Sequence, residues 1–386
     1  MMESVFRSSG VVLFSVLWLG TPSCGSEPAA EGPSERALNV AAATKESRPP
    51  RSELASTVGA ALAAADGIAS ILPDSDWTAA LSWCNGATQS LSMGDFNGDG
   101  RADMLCVDSE TGEKWITYAS ATGTYSGLGW HSGPSIWCKG SMRLLVGDFN
   151  GDGRADMLCH DPTTGEKWVT YADSSGGFFT TGFGWYSAMN WCYGADAQLF
   201  VADINGDGRA DMLCHAPSTG EKWVALATSA GAFTGTNYHN TPGLWCSATQ
   251  RLYVADFNGD KQADMLCHDP SSGDVWVAYT GRGGLFSSVW SLGLNYCKGS
   301  QQLHIADFNG DGRGDLLCSD AVSGLVQILF ASSTGTFRRS GWFSDSGLWC
   351  NAKQQLFTAN INGDRLADLL CHDPATGEKR INYSPL

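Results

Sequence analysis

The feature that most constrains this chain is a nine-residue motif that recurs six times. The first copy, at residues 95–103, is Asp-Phe-Asn-Gly-Asp-Gly-Arg-Ala-Asp, and successive copies begin 51–55 residues apart. The six copies begin at Asp95, Asp148, Asp203, Asp256, Asp307 and Asn360. A period of roughly 50 residues with several short strands per repeat is typical of a propeller blade. The motif therefore predicts an all-β fold of six blades.

Oxygen-bearing side chains occupy positions 1, 3, 5 and 9 of the motif, and most copies have glycine at position 6. Ca²⁺ prefers six to eight oxygen ligands, and glycine permits the tight turn that brings them together. In the first copy the carbonyl of Arg101 would add a backbone oxygen. An EF-hand loop would instead have Glu at position 12, where this chain has Cys106. We expect Ca²⁺ to be held by Asp95, Asn97, Asp99, Asp103, Asp148, Asn150, Asp152, Asp156, Asp203, Asn205, Asp207, Asp211, Asp256, Asn258, Asp260, Asp264, Asp307, Asn309, Asp311, Asp315, Asn360, Asn362, Asp364 and Asp368.

Two copies depart from this pattern. The fourth has Lys261 at the glycine position, whereas the sixth has Arg365 there and Asn360 in place of the first aspartate. The sixth copy therefore loses a carboxylate and gains a positive charge, and we expect it to be the weakest cation site. The alternative for all six copies is a set of Asx-turns that bind no metal.

The cysteines form a second repeat with the same period. The chain contains 13 cysteines, and all except Cys24 fall two to a repeat, 21 or 22 residues apart. An even, periodic set in an exported chain predicts disulfides. Strands two positions apart in a sheet are separated by about 9.5 Å, too far for a disulfide, which favours a bond within one hairpin. The favoured pairs are Cys84–Cys106, Cys138–Cys159, Cys192–Cys214, Cys246–Cys267, Cys297–Cys318 and Cys350–Cys371. The other frame pairs Cys106 with Cys138 and onward, and closes with Cys84–Cys371.

The N-terminus has the organisation of an export signal. Arg7 precedes an apolar run from Val11 to Gly20, which is too short to span a bilayer as a helix. Residues 1–23 are therefore predicted to be a signal peptide. Small residues before Cys24 resemble a bacterial lipoprotein processing site, although Thr21 stands where such sites usually have Leu. A lipid on Cys24 is one expectation, and secretion after simple cleavage is the alternative.

Residues 24–72 are predicted to form a disordered tether, because Ser, Pro, Glu and Ala dominate the first part. Within it, residues 53–72 carry an Ala-rich pattern with helical spacing. Residues 73–386 are expected to form the propeller. The last repeat ends after its third strand, whereas Trp77 and Cys84 match the fourth strands of other repeats. We therefore expect the N-terminal strand to complete the sixth blade and close the ring.

The loops resemble those of the FG-GAP and VCBS repeat family, which includes the propeller of integrin α chains and several fungal sugar-binding lectins. The resemblance covers about residues 85–386 and rests on the Asp-Phe-Asn-Gly-Asp-Gly-Arg-Ala-Asp motif. It implies a propeller whose cation loops join the first and second strands of each blade, with ligands bound elsewhere on the ring. Six copies and a cysteine pair in each repeat distinguish this chain from the seven-bladed members.

The tryptophans fall into three repeating sets, most of which are expected to fill the spaces between blades. One set lies on the third strand and another precedes a cysteine. The third set, on the outer strand, is the candidate for stacking on sugars: Trp77, Trp130, Trp185, Trp290 and Trp342. A further repeated element, such as His160-Asp161-Pro162, is interpreted as a turn fixed by an Asx hydrogen bond, and the Thr-Gly-Glu-Lys after it as a polar hairpin turn.

The sequence gives little indication of catalysis. It contains no GxSxG, HExxH or phosphate-binding glycine loop, and its acidic residues belong mostly to the repeated set. The net charge of −16 disfavours binding to nucleic acid or anionic lipid. We expect a secreted or cell-surface, non-enzymatic recognition protein that binds glycans. The alternatives are a protein-binding adhesion scaffold and an extracellular enzyme acting on polysaccharide. Any membrane attachment would be through the N-terminal lipid.

Overall fold

The structure is a computed structural model. It describes residues 77–79, 83–135, 137–178, 184–188, 191–240, 245–247, 249–281, 285–293, 295–337, 343–345 and 350–384. The predicted signal peptide, Cys24 and the predicted tether lie outside these residues, as does Trp342. Within the described part of the chain, no helix is long and apolar enough to cross a membrane.

Six four-stranded antiparallel sheets make up the molecule, as the motif number predicts. Each sheet is one blade, and its strands are called A to D from the axis outward. Blade 1 contains β2 (Gln89–Gly94), β3 (Asp103–Asp108), β4 (Lys114–Thr117) and β5 (Trp130–His131). Blade 2 contains β6 (Arg143–Gly147), β7 (Asp156–His160), β8 (Lys167–Thr170) and β9 (Trp185–Ser187). Blade 3 contains β10 (Gln198–Ala202), β11 (Asp211–Ala216), β12 (Glu221–Ala225) and β13 (Tyr238–Asn240).

The second half of the ring follows the same plan. Blade 4 contains β14 (Arg251–Ala255), β15 (Asp264–Asp269), β16 (Asp274–Gly281) and β17 (Leu285–Leu292). Blade 5 contains β18 (Gln302–Ala306), β19 (Asp315–Asp320), β20 (Leu325–Leu329) and β21 (Phe343–Asp345). Blade 6 contains β22 (Gln355–Ala359), β23 (Asp368–His372), β24 (Lys379–Asn382) and β1 (Trp77–Ala79).

The two ends of the propeller meet in blade 6. Strand β1 pairs antiparallel with β24, and Trp77 lies opposite Ile381. The prediction that an N-terminal strand completes the last blade is therefore confirmed. This pairing closes the ring between its first and last blades and gives β24 a partner on its outer side.

The burial of each strand follows its place in the blade. The A strands of neighbouring blades contact one another, so they line the axis. The B strands are the most buried; in blade 1 every residue of Asp103–Asp108 is buried, because neighbouring blades cover both faces. Strand D is the edge strand of each sheet, so it forms the outer rim.

The hydrophobic core lies between blades rather than within them. Phe96, at position 2 of the first loop, is fully buried and packs in a cluster with Leu144 and Met157 of blade 2. Phe149 in turn meets Phe233 of blade 3 edge-on, with ring centroids 5.9 Å apart. Because each blade covers its neighbour, apolar burial depends on an uninterrupted ring.

Six disulfides link each D-to-A connection to strand B of the following blade, in the favoured frame. Their Cα atoms are 5.3–5.6 Å apart. The alternative frame is thereby excluded. Five of the connecting cysteines have positive φ angles of 53–57°: Cys84, Cys138, Cys192, Cys246 and Cys297. Six disulfides indicate an oxidising, extracytoplasmic location.

In blade 3 the outer strand begins later than the sequence predicts. In the third repeat we expect a strand from Phe233 to Leu244, whereas β13 begins at Tyr238, and residues 241–244 lie outside the described ones. Phe233 instead forms an isolated bridge with Ala227. Gly235, with a φ of 135°, lies between the two pairings, in a conformation that ordinary residues rarely adopt. The backbone therefore leaves and rejoins the sheet.

Candidate functional site

Each motif forms a tight loop between strands A and B that is organised by its own side chains. In blade 1 the carboxylate of Asp95 accepts hydrogen bonds from the amides of Gly98 and Gly100, both at 2.7 Å. Asn97 accepts from the amide of Asp99, at 3.0 Å, and the Asp99 carboxylate accepts from Arg101, also at 3.0 Å. These are the Asx-turn hydrogen bonds expected of an acidic loop.

Position 6 of the loop needs a left-handed backbone. Gly100 has a φ of 84°, and the corresponding residues of the divergent loops, Lys261 and Arg365, adopt φ angles of 69° and 75°. In loop six Asn360 still accepts from Gly363, at 2.9 Å, but its amide nitrogen instead donates to the carbonyl of Gly100. The two departures seen in the sequence are therefore local changes within a preserved loop path.

The ninth residue of the motif lies in the interior of the blade. Asp103 is fully buried, and its two oxygens accept hydrogen bonds from the amides of Phe96 and Ala119, at 3.0 and 2.8 Å. Burial raises the pKa of Asp103 to about 7, while these two hydrogen bonds oppose that rise. The other five loops make the same two contacts. The ninth residue thus joins the loop to the end of strand C.

An arginine at position 7 neutralises part of the loop charge. Arg101 pairs with the carboxylate of Asp99, and its Nε donates to the carbonyl of Ala119 at 3.4 Å. Loops two, three and five contain the same ion pair, formed by Arg154, Arg209 and Arg313. Loops four and six have Gln262 and Leu366 at this position, so neither carries this pair.

The donor chemistry of the loops fits a hard cation. Asp95, Asn97 and Asp99 present two carboxylates and an amide oxygen in one exposed loop, where water can complete a Ca²⁺ shell. Among the described residues, no three His, Cys, Asp or Glu side chains are grouped closely enough to hold a metal alone. A cation would therefore rely on the asparagine and backbone oxygens, and would compete with Arg101 for Asp99.

The loops are joined around the axis. The amide at position 8 of each loop donates to the carbonyl at position 1 of the preceding loop, at 2.6–2.7 Å. One such bond, from Ala102 to Asn360, connects the first blade to the last. The side chain at position 7 also lies over the preceding loop; Arg154, for example, lies over Gly98. The six loops consequently form one continuous acidic surface at this end of the propeller.

A buried lysine occupies the opposite end of four blades. Lys222 is fully buried, donates to the carbonyls of Gly220 and Trp245 at 2.8 Å each, and lies 5.0 Å from the centroid of the Trp245 ring. Burial lowers its pKa to about 8. Three other blades repeat this arrangement with Lys114, Lys167 and Lys379. These lysines attach the tryptophan that precedes each cysteine to the hairpin of strands B and C.

The repeated histidines are also interior residues. His160 is fully buried, and burial lowers its pKa to about 3. The adjacent Asp161 accepts a hydrogen bond from the amide of Thr163 at 2.8 Å, as the Asx-turn interpretation predicts. This environment keeps the histidine ring neutral and away from solvent.

The tryptophans proposed for sugar stacking lie at the contacts between blades. Trp130 meets Phe178 edge-on, with ring centroids 5.4 Å apart, and Trp185 meets Phe233 in the same way at 5.2 Å. Trp77 makes the corresponding contact with Tyr125 at 5.9 Å. These three rings are half-buried, so they contribute to packing between blades. The side chain of Trp290 and the whole of Trp342 lie outside the described structure.

A second set of aromatic residues, which the sequence alone did not indicate, lies on the rim. Trp115 on strand C stacks on His131 of strand D, with centroids 5.3 Å apart and an interplanar angle of 5°. Blades 2 and 3 have equivalent stacks, Trp168 on Tyr186 and Trp223 on His239. The sequence does contain an aromatic residue at the second position of each of these short D strands. Its pairing with the tryptophan of strand C becomes evident only when the register of the two strands is known.

Comparison with known proteins follows this geometry. A family model described as FG-GAP-like repeat matches residues 75–159, 203–267 and 256–318, more than half of the chain. No curated protein sequence matches the chain significantly. An Agrocybe aegerita lectin structure aligns with 19% identity over 77% of this chain and 79% of the lectin, with a TM-score of 0.53. Its described ligand is non-reducing terminal N-acetylglucosamine.

A second structural match is a component of the Photorhabdus luminescens Tc holotoxin pore. It aligns with 19% identity over 82% of this chain and has a TM-score of 0.55. The alignment covers 15% of the toxin chain. At this identity both matches establish a shared fold.

Proposed function

Because the chain belongs to the FG-GAP-like repeat family and forms a disulfide-linked ring, we propose that it is an exported glycan-binding protein. The observation that carries the proposal is that the same side chains recur at equivalent positions in successive blades. A protein with several equivalent surface sites gains avidity for a ligand that is displayed many times, as glycans are on cell surfaces and polymers. A propeller repeats each surface position around its ring.

The distribution of perturbed pKa values favours binding over catalysis. Active sites usually gather such groups at one accessible place. Here burial raises the pKa of Asp103 and of its five counterparts and lowers that of Lys222 and its three counterparts. All of these groups are buried and recur from blade to blade, which suits a structural role. Nothing in this arrangement supplies the single pair of carboxylates that a glycosidase needs.

The fold comparison supports a carbohydrate ligand. The Agrocybe aegerita lectin, which is similar over most of both chains, recognises terminal N-acetylglucosamine. We extend from it only the ligand class, a sugar, because the identity is 19%. An extracytoplasmic location, indicated by the six disulfides, is where surface and secreted glycans are encountered.

Calcium is part of the proposal as a structural ion. Asp95, Asn97 and Asp99, with their equivalents in the other blades, would hold it together with the carbonyl at position 7. When bound, the cation neutralises the gathered carboxylates and stabilises the folded loops. The loops carry the A-to-B connections on which the blade contacts depend, so ion binding would raise the stability of the whole ring by mass action.

The test is a glycan array probed with the full chain, purified after export, with Ca²⁺ and again in excess EGTA. We expect selective binding to a group of related glycans and a lower melting temperature in EGTA. A folded protein that binds no glycan would refute the proposal and direct the search to protein partners. An unchanged melting temperature in EGTA would remove calcium from it while leaving the glycan result intact.

A further inference from the structure

Three consecutive blades present an aromatic ring at their outer edge, supported from behind. His131, Tyr186 and His239 occupy the same register on strand D, directly opposite Trp115, Trp168 and Trp223 on strand C. The ring centroids are 5.1–5.5 Å apart, and the planes of each pair are within 27° of parallel. Each tryptophan is half-buried and packs against a core cluster that lies between its blade and a neighbouring one. The inner ring is therefore fixed and holds the outer one.

A carboxylate fixes the outer ring from the side. Glu166 accepts a hydrogen bond from the Tyr186 hydroxyl at 2.7 Å. The Nε2 atoms of His131 and His239 lie 3.5 Å from carboxylate oxygens of Glu113 and Glu221. Each glutamate begins or immediately precedes strand C and is only partly exposed. The three units, each with a tryptophan, an outer ring and a glutamate, are called rim platforms.

The outer ring of each rim platform is open to solvent. The side chains of His131 and His239 are 38% and 40% exposed, and Tyr186 is 49% exposed. Strand D is the edge of its sheet, so none of the strands in the described part of the chain covers the ring face that points away from the tryptophan. An oriented aromatic face beside a carboxylate is thus available on the rim of blades 1, 2 and 3.

Blades 4 and 6 show that the fold does not require this arrangement, whereas blade 5 has Phe343 in this register, opposite Gln327 instead of a tryptophan. Blade 4 retains the tryptophan, Trp276, and an acidic residue, Asp274, but has Ser291 opposite the tryptophan. Blade 6 places Thr78 opposite Arg380. Because a small polar residue is accepted in the same register, packing alone does not explain three outer rings on adjacent blades.

We propose that the three rim platforms are the sugar-binding sites, each taking one neutral pyranose ring. This inference rests on the proposed glycan-binding function and gives it a location. The negative face of an aromatic ring attracts the C–H groups of a pyranose, and the carboxylate accepts hydrogen bonds from its hydroxyls. The same carboxylate, in a chain of net charge −16, disfavours sialic and uronic acids. Three sites on one half of the rim suit a branched or clustered glycan.

The test replaces all three outer rings by the residue that blade 4 already uses. The triple variant His131→Ser/Tyr186→Ser/His239→Ser is compared with the wild-type chain on neoglycoproteins that display N-acetylglucosamine, galactose or mannose, by surface plasmon resonance. We expect the triple variant to lose at least 10-fold in apparent affinity for the neoglycoprotein that wild type prefers. Each single variant should lose less than the triple variant, because two sites remain. The matched control is Tyr193→Ser, which removes another aromatic that is 55% exposed but belongs to no rim platform.

The reverse change provides an independent readout. Ser291→Tyr places a ring opposite Trp276, beside Asp274, and should increase binding to sparsely coated surfaces. Wild-type binding that survives unchanged in the triple variant would refute the location while leaving glycan binding in place. Failure of wild type to bind any of the three neoglycoproteins or any array glycan would refute both. Melting curves identify a variant that has lost its fold, in which case the Ser291→Tyr result decides the matter.

Discussion

Removing one disulfide should destabilise the propeller by an amount that its short loop sets. The Cys192–Cys214 bond joins residues 22 apart in sequence. In the chain-entropy model, releasing a loop of this length lowers the free energy of unfolding by about 3 kcal/mol, because the unfolded chain gains freedom. The variant Cys192→Ala/Cys214→Ala should show this loss.

The backbone at Cys192 allows a second, opposite effect to be separated. Its φ of 57° is a left-handed conformation that costs a residue with a Cβ roughly 1–2 kcal/mol relative to glycine. Alanine inherits this strain, whereas glycine relieves it. Since glycine also gains freedom in the unfolded chain, the variant Cys192→Gly/Cys214→Ala should recover about 0.5–1 kcal/mol of the loss.

Urea unfolding followed by circular dichroism measures all three proteins under oxidising conditions. The expected order of stability is wild type, then the glycine variant, then the alanine variant. The two variants differ only at one residue, so each is the control for the other. A loss below about 1 kcal/mol for the alanine variant would contradict the loop-closure argument. A glycine variant no more stable than the alanine variant would contradict the strain argument.

Two further stability changes follow from the same geometry. Lys222→Met should cost about 2 kcal/mol, because the buried carbonyls of Gly220 and Trp245 lose their donor. Burial lowers the pKa of Lys222 from 10.5 to about 8, so between these pH values the unfolded state binds more protons than the folded state. The stability of wild type relative to this variant should therefore rise from pH 8 to pH 10. Urea titrations at both pH values check this, and a difference that falls with pH would contradict it. Lys261→Gly should stabilise the chain by about 1 kcal/mol, since Lys261 has a φ of 69° where the equivalent Gly100 has 84°; calorimetry measures the gain, and a loss would show that the lysine side chain makes a compensating contact.

The fold could be predicted from the sequence because its two repeats report the same period. The motif at 95–103 marks the turn from strand A to strand B, and Cys106 lies on strand B directly after it. The positions of Cys84 and Cys106 then favour a disulfide within one hairpin, because strands two positions apart are too distant for the alternative pairing. Trp77 before Cys84 gives the ring closure, because the segment matches the fourth strands of other repeats. Each of these features is local in sequence.

The surroundings of the charged residues could not be obtained in the same way. Lys114 follows Thr-Gly-Glu and is predicted to lie in a polar hairpin turn, yet the structure buries it. It begins strand C, where alternate residues share a face, so its side chain lies on the same buried face as Ile116 and opposite to Trp115. The carbonyls of Gly112 and Trp137 accept hydrogen bonds from its ammonium group, which also lies over the Trp137 indole. A polar composition identifies a turn but not the partners that make burial of a charge acceptable.

The ninth residue of the loops illustrates the same limit. That Asp103 completes a cation shell stays a prediction, and the structure adds that each of its oxygens accepts a backbone hydrogen bond, which the motif does not show. Spacing shows that the carboxylate is near the loop, whereas its direction depends on Ala119, which is 16 residues away at the end of strand C. The rim platforms could not be predicted for a related reason. In blades 1 to 3 strand D contains only two or three residues, too few for the alternating pattern of a strand to be recognised in the sequence.

Differences between the repeats separate what the fold needs from what it merely permits. Blades 4 and 5 have Val275 and Val326 where four other blades have the buried lysine, and in blade 4 Tyr296 replaces the tryptophan. The Tyr296 hydroxyl lies 3.0 and 2.7 Å from the carbonyls of Leu316 and Gln327, so this part of the ring is also tied together, by other means. At this buried position of blade 4, therefore, the replacement of the lysine and tryptophan comes with new hydrogen bonds.

The exposed positions on strand D behave differently. In blade 4 Ser291 stands in the register of Tyr186, and Trp276 opposite it is retained. An outer ring that blade 4 replaces by serine is not required for packing, and it exposes apolar surface to water. Its recurrence on blades 1, 2 and 3 is therefore best explained by contact with a ligand. Exposed rings that are held in place, rather than buried ones, are therefore where the ligand of this propeller should be sought.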